Sequence, residues 1–248
     1  MIWSFLYGSQ RESVDLVTHA APARCAEMLA RKEVDAALVP VIEYQRIAEV
    51  EIVPGVCVGS HDRVRSVVLA SKSARLEEVK SVVLDESSRT SQALVKILFK
   101  EFFGFEPAWR VCGPNVEEML DRNDAALVIG DPAMAITGED VKVFDLASIW
   151  HEHTNTGFVF AMWMASVGAE IRAADFVRAR DEGLANVERI VIEDEGVPLS
   201  ITEKREYLTR NISFSLDASL EAGMRLFFEL ATKHRLIEEN RRLRFLRT

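Results

Sequence analysis

Along most of this chain, short apolar runs alternate with stretches whose apolar positions recur every three or four residues. The runs Ala36–Val39, Ser66–Ala70, Ser81–Leu84, Ala125–Ile129 and Phe158–Met164 are too short for helices and read as buried strands. Helical spacing covers Ala23–Lys32, Ser91–Phe103, Val116–Arg122, Glu170–Glu188, Ile201–Asn211 and Leu216–Lys233. Strand and helix taken in turn predict an α/β fold with largely parallel sheets. "EMLARKEVDAALV" from Glu27 and "EMLDRNDAALV" from Glu118 echo each other. Each joins a helix end to a strand through a turn and an Asp. The echo is too short for a stacked-repeat array. It is either coincidence or the trace of two α/β lobes that use this unit once each.

The order of elements divides the chain into a discontinuous lobe I, residues 1–72 plus 156–248 with the C-terminal helices, and a lobe II, residues 73–155. "TGFVFAMWM" then crosses back, two crossovers form a hinge, and a cleft lies between the lobes. Such clefts, beyond the carboxyl ends of strands, are where α/β proteins hold ligands.

Composition narrows the choice of ligand. The chain's 248 residues suit two lobes of about 100 to 150 each. The longest apolar segments, such as "FVFAMWMA" from Phe158, fall well short of the roughly 20 residues of a membrane span. A net charge of −9 opposes a nucleic-acid partner. An anionic ligand would need local donors rather than the overall field. The basic cluster Arg241, Arg242, Arg244 and Arg247 reads as a solvated last helical turn favoured by the dipole. Cys25, Cys57 and Cys112 are odd in number and scattered, which is not a disulfide framework. The opening "MIWSFLYGSQR" lacks a basic region and a cleavage site, so a cytoplasmic location is expected.

Three segments leave the carboxyl ends of strands: "VPVIEY" from Val39, "DESSRTS" from Asp85 and "IGDP" from Ile129. In the second, Ser87, Ser88, Thr90 and Ser91 crowd the start of a helix, where free N–H groups and the dipole attract anions. Arg89 offers a bidentate fork beside them. One hydroxyl suffices for a cap, so four in five residues point either to generous capping or to an anion site. Gly130 permits close backbone approach, and Asp131 either lines the site or caps the next short helix. In "VPVIEY", Glu43 and Tyr44 open the next turn, where a buried Glu43 either lines the site or pairs with an Arg in the core. In "WHEHTNTG", His151 and His153 are two apart with no accompanying triad, so a polar loop is expected rather than a metal site. GxSxG, P-loop and GxGxxG signatures are absent from the sequence.

Together, "DAALVPVIEYQRI", "SVVLASK", "SSRTSQALVKILF", "DAALVIGDPA" and "TGFVFAMW", in this order, carry a resemblance. The chain resembles the chorismate dehydratases of the futalosine route to menaquinone, from about Trp3 to the closing "LRFL", with "PLSITEKREYLTRNISFSLD" also in pattern. The resemblance implies a bilobal fold like that of type II periplasmic solute-binding proteins. It also implies a hydro-lyase that converts chorismate, a small dianion, to 3-[(1-carboxyvinyl)oxy]benzoate and water. Aromatisation drives that reaction, so no cofactor or metal is implied. Pro40, Ser87, Ser88, Arg89, Thr90, Ser91, Ile129, Gly130 and Asp131 would contact the substrate. The base would be the substrate's own enolpyruvyl carboxylate or Asp131. Family members usually begin with a strand and an Asn-bearing segment ahead of a stretch like "IWSFLYG". The resemblance therefore implies that a first strand is missing here, through a late start or a real loss. A non-catalytic cytosolic binding module for a carboxylate metabolite is the alternative. A related lyase acting on a cyclised futalosine derivative shares the fold but suits "SSRTS" and "IGDPA" less well. A transcriptional effector domain lacks a helix-turn-helix region.

Overall fold

A computed structural model describes residues 2–19, 21–113, 115–136, 140–197 and 199–247. The strands are β1 (Ala36–Pro40), β2 (Val50–Ser60), β3 (Val67–Ser71), β4 (Ser81–Asp85), β5 (Ala108–Cys112), β6 (Ala125–Ile129), β7 (Lys142–Asp145) and β8 (Phe158–Ser166). The helices are α1 (Trp3–Tyr7), α2 (Pro22–Ala30), α3 (Arg89–Ile97), α4 (Val116–Asp121), α5 (Asp131–Met134), α6 (Leu146–Thr154), α7 (Ala173–Ala185), α8 (Val187–Glu193), α9 (Ile201–Glu206) and α10 (Ala218–Lys233).

Two sheets form. One has three strands in the order β1-β8-β2, the other five in the order β5-β4-β6-β3-β7. The two echoed units fall one in each, α2 leading to β1 and α4 to β6. The α/β class is as expected, but the sheets are mixed rather than largely parallel. β8 runs antiparallel to both β1 and β2, and β3 runs antiparallel to β6 and β7. Among the described strands, only the β4–β5 and β4–β6 pairs are parallel. A strand buried on both faces reads as an unbroken apolar run whichever way its neighbours point, so pattern could not supply direction. β3 belongs to the five-stranded sheet, so the first crossover lies before Val67 and not at Ser73. The chain returns to the three-stranded sheet at Phe158, after α6.

Sheet period explains the packing. In the five-stranded sheet Val67, Leu69, Val82, Leu84, Ala125 and Leu127 face the main core, with α3 and the C-terminal helices. Their alternates Val68, Ala70, Val83, Ala126 and Val128 face Met119 and Leu120 of α4 and Ala133 of α5. The main core is continuous between the sheets: Val39 and Met162 share it with Leu94, Trp150 and Phe227. α10 reaches it by a close approach, since a Cβ on Gly223 would lie 1.8 Å from the Gly157 carbonyl oxygen.

Several local expectations change. β2 carries Pro54-Gly55, which reads as a turn but is absorbed by a register shift between Ile52 and Cys57, with Gly55 at φ +76°. Ser91–Phe103 is an α-helix to Ile97 and π-helical over Leu98–Phe103. Glu170–Glu188 divides at Asn186 into α7 and α8. His151 and His153 lie in the last turn of α6, not in a loop. His153 stacks on Phe102 at 4.4 Å, and among the described residues no cluster suits a metal ion. The basic C-terminus is not a helical turn either. α10 ends at Lys233, and the following segment turns and reaches the three-stranded sheet, where Phe245 bridges Ile52. Arg241 lies 5.1 Å over the Tyr44 ring and donates to the Ile47 carbonyl. Trp3–Tyr7 is helical, with Phe5 packed edge-on to Trp163 and Phe176. No helix among the described residues is long and apolar enough to cross a membrane.

Candidate active site

β4 and β6 are adjacent and parallel, so the segments after Asp85 and Ile129 leave the same edge of the sheet. β3 is antiparallel to β6, with Val67 opposite Ile129, so the crossing segment Val64–Ser66 arrives at that edge. β7 ends there too, with Asp145 opposite Val68. Four chain segments thus converge on one edge, the polar end of a sheet whose faces are both apolar.

The first wall is the start of α3. Asp85, buried, accepts from the Ser87 backbone N–H at 2.8 Å and the Ser87 hydroxyl at 2.7 Å. This closes the turn and orients α3, while Gln92 donates back to the Asp85 carbonyl. No side chain caps α3 at Ser88. The N–H groups of Arg89, Thr90 and Ser91 have no intrahelical acceptor at this position, and Gln92 is the first whose N–H bonds backward, to Ser88. The Ser88 and Ser91 side chains make no hydrogen bond among the described residues, although both residues are buried. Thr90 accepts from the Ile42 N–H at 3.3 Å and keeps its own proton. The hydroxyl surplus is therefore not used for capping. It surrounds an open helix N-terminus.

Arg89 does not stand free as a fork. One terminal nitrogen donates to Glu43 and the other to Glu27, both at 3.0 Å. Glu43, with its side chain only 4% exposed, also accepts from Arg46 at 2.9 Å. Glu27 and Glu43 lie on the three-stranded side, Arg89 on the five-stranded side, so this chain of charges joins the two. The Glu27 carboxyl is held below its usual range, first by its hydrogen bond to Arg24 and further by Arg89. Pro40, buried at the end of β1, begins the 3-10 turn Val41–Gln45 that carries Ile42 and Glu43 to α3.

The facing wall begins at Gly130, whose φ of +69° and ψ of −149° suit glycine almost alone. Its N–H donates to the Ser66 carbonyl at 2.7 Å. Ile129 is half-buried and Asp131 exposed. Asp131 caps nothing, because the helix that starts there has no side-chain cap. Sequence reasoning missed two groups at this wall, Ser66 and Tyr207. The Tyr207 hydroxyl donates to the Ser66 hydroxyl at 2.8 Å. Burial raises the Tyr207 phenol and the Asp131 charge adds to that, while the Ser66 hydrogen bond and Arg65 oppose it. The neighbours of Tyr207 in "REYLTRNISF", Glu206 and Leu208, gave no signal that would single it out. Two surface hollows of about 600 and 570 Å³ lie elsewhere, beside β5 and around Glu77–Lys80. Both are open and rimmed by charged side chains, without the convergent donors found at the edge.

A family described as menaquinone biosynthesis matches residues 2–233. The chain belongs to the menaquinone biosynthesis family. Within it, a protein of Thermus thermophilus named chorismate dehydratase is 30% identical over 242 residues, covering 86% of this chain and 85% of that one. A chorismate dehydratase of Campylobacter jejuni is 28% identical over 141 residues, 56% of this chain and 49% of that one. Among solved structures, a protein of Archaeoglobus fulgidus superposes with a TM-score of 0.70 at 17% identity, covering 95% of this chain and 93% of that one. The periplasmic aliphatic sulphonate binding protein SsuA of Escherichia coli superposes with a TM-score of 0.59 at 14% identity, covering 90% and 82%. The fold of this menaquinone-family member is thus that of the periplasmic binding proteins. The family match spans the α3 and α5 walls alike.

Proposed function

We propose that the chain is a chorismate dehydratase, a hydro-lyase that removes water from chorismate to give 3-[(1-carboxyvinyl)oxy]benzoate for menaquinone biosynthesis. The observation that carries this reading is the uncapped start of α3 with the unengaged hydroxyls of Ser88 and Ser91. It supplies neutral donors for a carboxylate in a chain of net charge −9. The family and the relatives named chorismate dehydratase supply the reaction.

In this reading the N–H groups of Thr90 and Ser91 and the hydroxyls of Ser88, Thr90 and Ser91 grip one substrate carboxylate. Ile129, Gly130 and Asp131 form the opposite side, and Pro40 closes the floor through Ile42. Ser87 and Arg89 act one step back: Ser87 fixes the turn through Asp85, and Arg89 holds α3 against the other side. The ring proton goes to the substrate's enolpyruvyl carboxylate, with Asp131 the rival base. Formation of the aromatic ring drives the reaction, so the protein's part is to position a dianion and exclude water, without a cofactor. A cytoplasmic location fits a biosynthetic step.

Incubating the purified chain with chorismate tests the reading, with the enolpyruvyl benzoate followed by chromatography and mass. Turnover that falls at least tenfold in Ser88→Ala/Ser91→Ala supports it. Chorismate binding without product points instead to a non-catalytic binding module. Asp131→Asn with turnover near that of the unmodified chain removes Asp131 as base.

A further inference from the structure

Chorismate dehydration needs two proton movements. One leaves the ring carbon; the other must reach the departing hydroxyl, because hydroxide is a poor leaving group. In the reading above, the hydroxyls of the α3 wall are engaged by the substrate carboxylate.

The wall two strands away offers an acid. Ser66 precedes β3, which is separated from β4 by β6 alone. Strands in a sheet lie about 4.8 Å apart, so the β4 end and Ser66 are separated by roughly 10 Å, about the span of a substituted six-membered ring. Ser66 is fixed on three sides. Its carbonyl takes the Gly130 N–H, its hydroxyl takes the Tyr207 hydroxyl, and its own N–H bonds the Val64 carbonyl at 2.8 Å. The adjoining Arg65 adopts φ +63°, a left-handed conformation uncommon for a side-chain-bearing residue. Asp145 holds it there by accepting the Val64 and Arg65 N–H groups. Because Tyr207 donates to Ser66, the Ser66 proton is left over, and no acceptor for it occurs among the described residues. Tyr207 itself begins a π-helical segment, Tyr207–Asn211, a departure from α geometry frequent at functional sites.

We propose that Ser66 and Tyr207 form a two-hydroxyl relay that protonates the hydroxyl lost from the substrate. This rests on the chorismate reading above. As the ring C–O bond breaks, its electron pair stays on the departing oxygen, which takes the Ser66 proton; Ser66 takes the Tyr207 proton in turn. The ring C–H electron pair becomes the new π bond, and that proton passes to the base. It returns to Tyr207 as product leaves, so the sum is chorismate to enolpyruvyl benzoate plus water. Burial keeps Tyr207 protonated at neutral pH, and because water is a far weaker acid than a phenol, even a raised phenol is acidic enough to donate.

The test is steady-state kinetics of Tyr207→Phe, Ser66→Ala and the double variant with chorismate, in H2O and D2O. The relay requires kcat to fall about 100-fold in each single variant, with KM changed less than threefold. The double variant should be no slower than the worse single one, because the two hydroxyls act as a unit. A solvent isotope effect on kcat present in the unmodified chain should disappear in Ser66→Ala. Thermal melts establish that both variants fold, and the smaller Ser66→Ala change decides the matter where Tyr207→Phe melts early. A kcat within threefold of the unmodified chain in a folded Ser66→Ala overturns the relay while leaving the dehydratase reading intact. Absence of product from the unmodified chain instead overturns the dehydratase reading itself.

Discussion

Arg89 offers the sharpest separation between what it looks like in the sequence and what it does in the structure. Its guanidinium bridges Glu43 and Glu27, and Glu43 is nearly inaccessible. Two unit charges about 4 Å apart attract by about 4 kcal/mol at the effective dielectric of a protein surface. Desolvation offsets much of that for Glu43, and the 30% exposure of the Arg89 side chain lets water replace part of it on removal. Arg46 remains to neutralise Glu43, so the full 3–5 kcal/mol of an orphaned buried charge does not apply. Arg89→Met, which keeps the aliphatic stem, should therefore cost about 2 kcal/mol. For a chain of this size that corresponds to a melting temperature lower by about 4–8 °C. A double-mutant cycle with Glu43→Gln, read by urea denaturation, should give a coupling energy of about 1.5 kcal/mol. KM for chorismate should rise as well, since α3 would lose its tether to Ile42 and Glu43. A coupling below about 0.5 kcal/mol, the level of independent sites, would refute the latch. A raised KM with unchanged stability would restore Arg89 as a direct substrate ligand.

Three further outcomes follow from the same geometry. Gly130→Ala forces a Cβ into a φ, ψ region nearly reserved for glycine; it should lose about 1–3 kcal/mol by denaturant melt and most of its turnover, whereas the unstrained Ala133→Gly should keep its turnover. Burial above all, with the Asp217 charge adding, pushes the Cys57 thiol up to about 12, so a thiol reagent at pH 8 should leave Cys57 unmodified until the chain unfolds, a result that peptide mapping would contradict if Cys57 were labelled early. Lys233 first, and then His234, hold the Glu101 carboxyl below its usual range, where the π-helical Leu98–Phe103 meets the end of α10. A depressed acid contributes stability above its unfolded pKa, about 4.3, and loses that contribution as pH falls through the folded value. Glu101→Gln should thus flatten the acid side of a stability–pH curve below about pH 5.

What the sequence determined by itself is local or periodic. Apolar runs located β1, β3, β4, β6 and β8 to within two residues at their ends, because burial on both sheet faces needs uninterrupted apolar side chains. The echoed units marked one α-to-β step in each sheet. The hydroxyl-rich start of α3 and the glycine before Asp131 were legible because their chemistry exceeds what a cap or turn requires. The strands with a local break or an exposed face, β2, β5 and β7, were not, since only pairing in the sheet makes Pro54-Gly55 a bulge or "KVFD" an edge strand. Strand direction was also out of reach, and with it the place of Val67 in the second sheet. Tertiary structure alone decided which polar groups meet. Arg89 finds two carboxylates 46 and 62 residues away, and Ser66 finds a tyrosine 141 residues away. A side chain's hydrogen-bonding capacity is fixed by its chemistry, but its partner is set by which strand ends the fold brings to one edge.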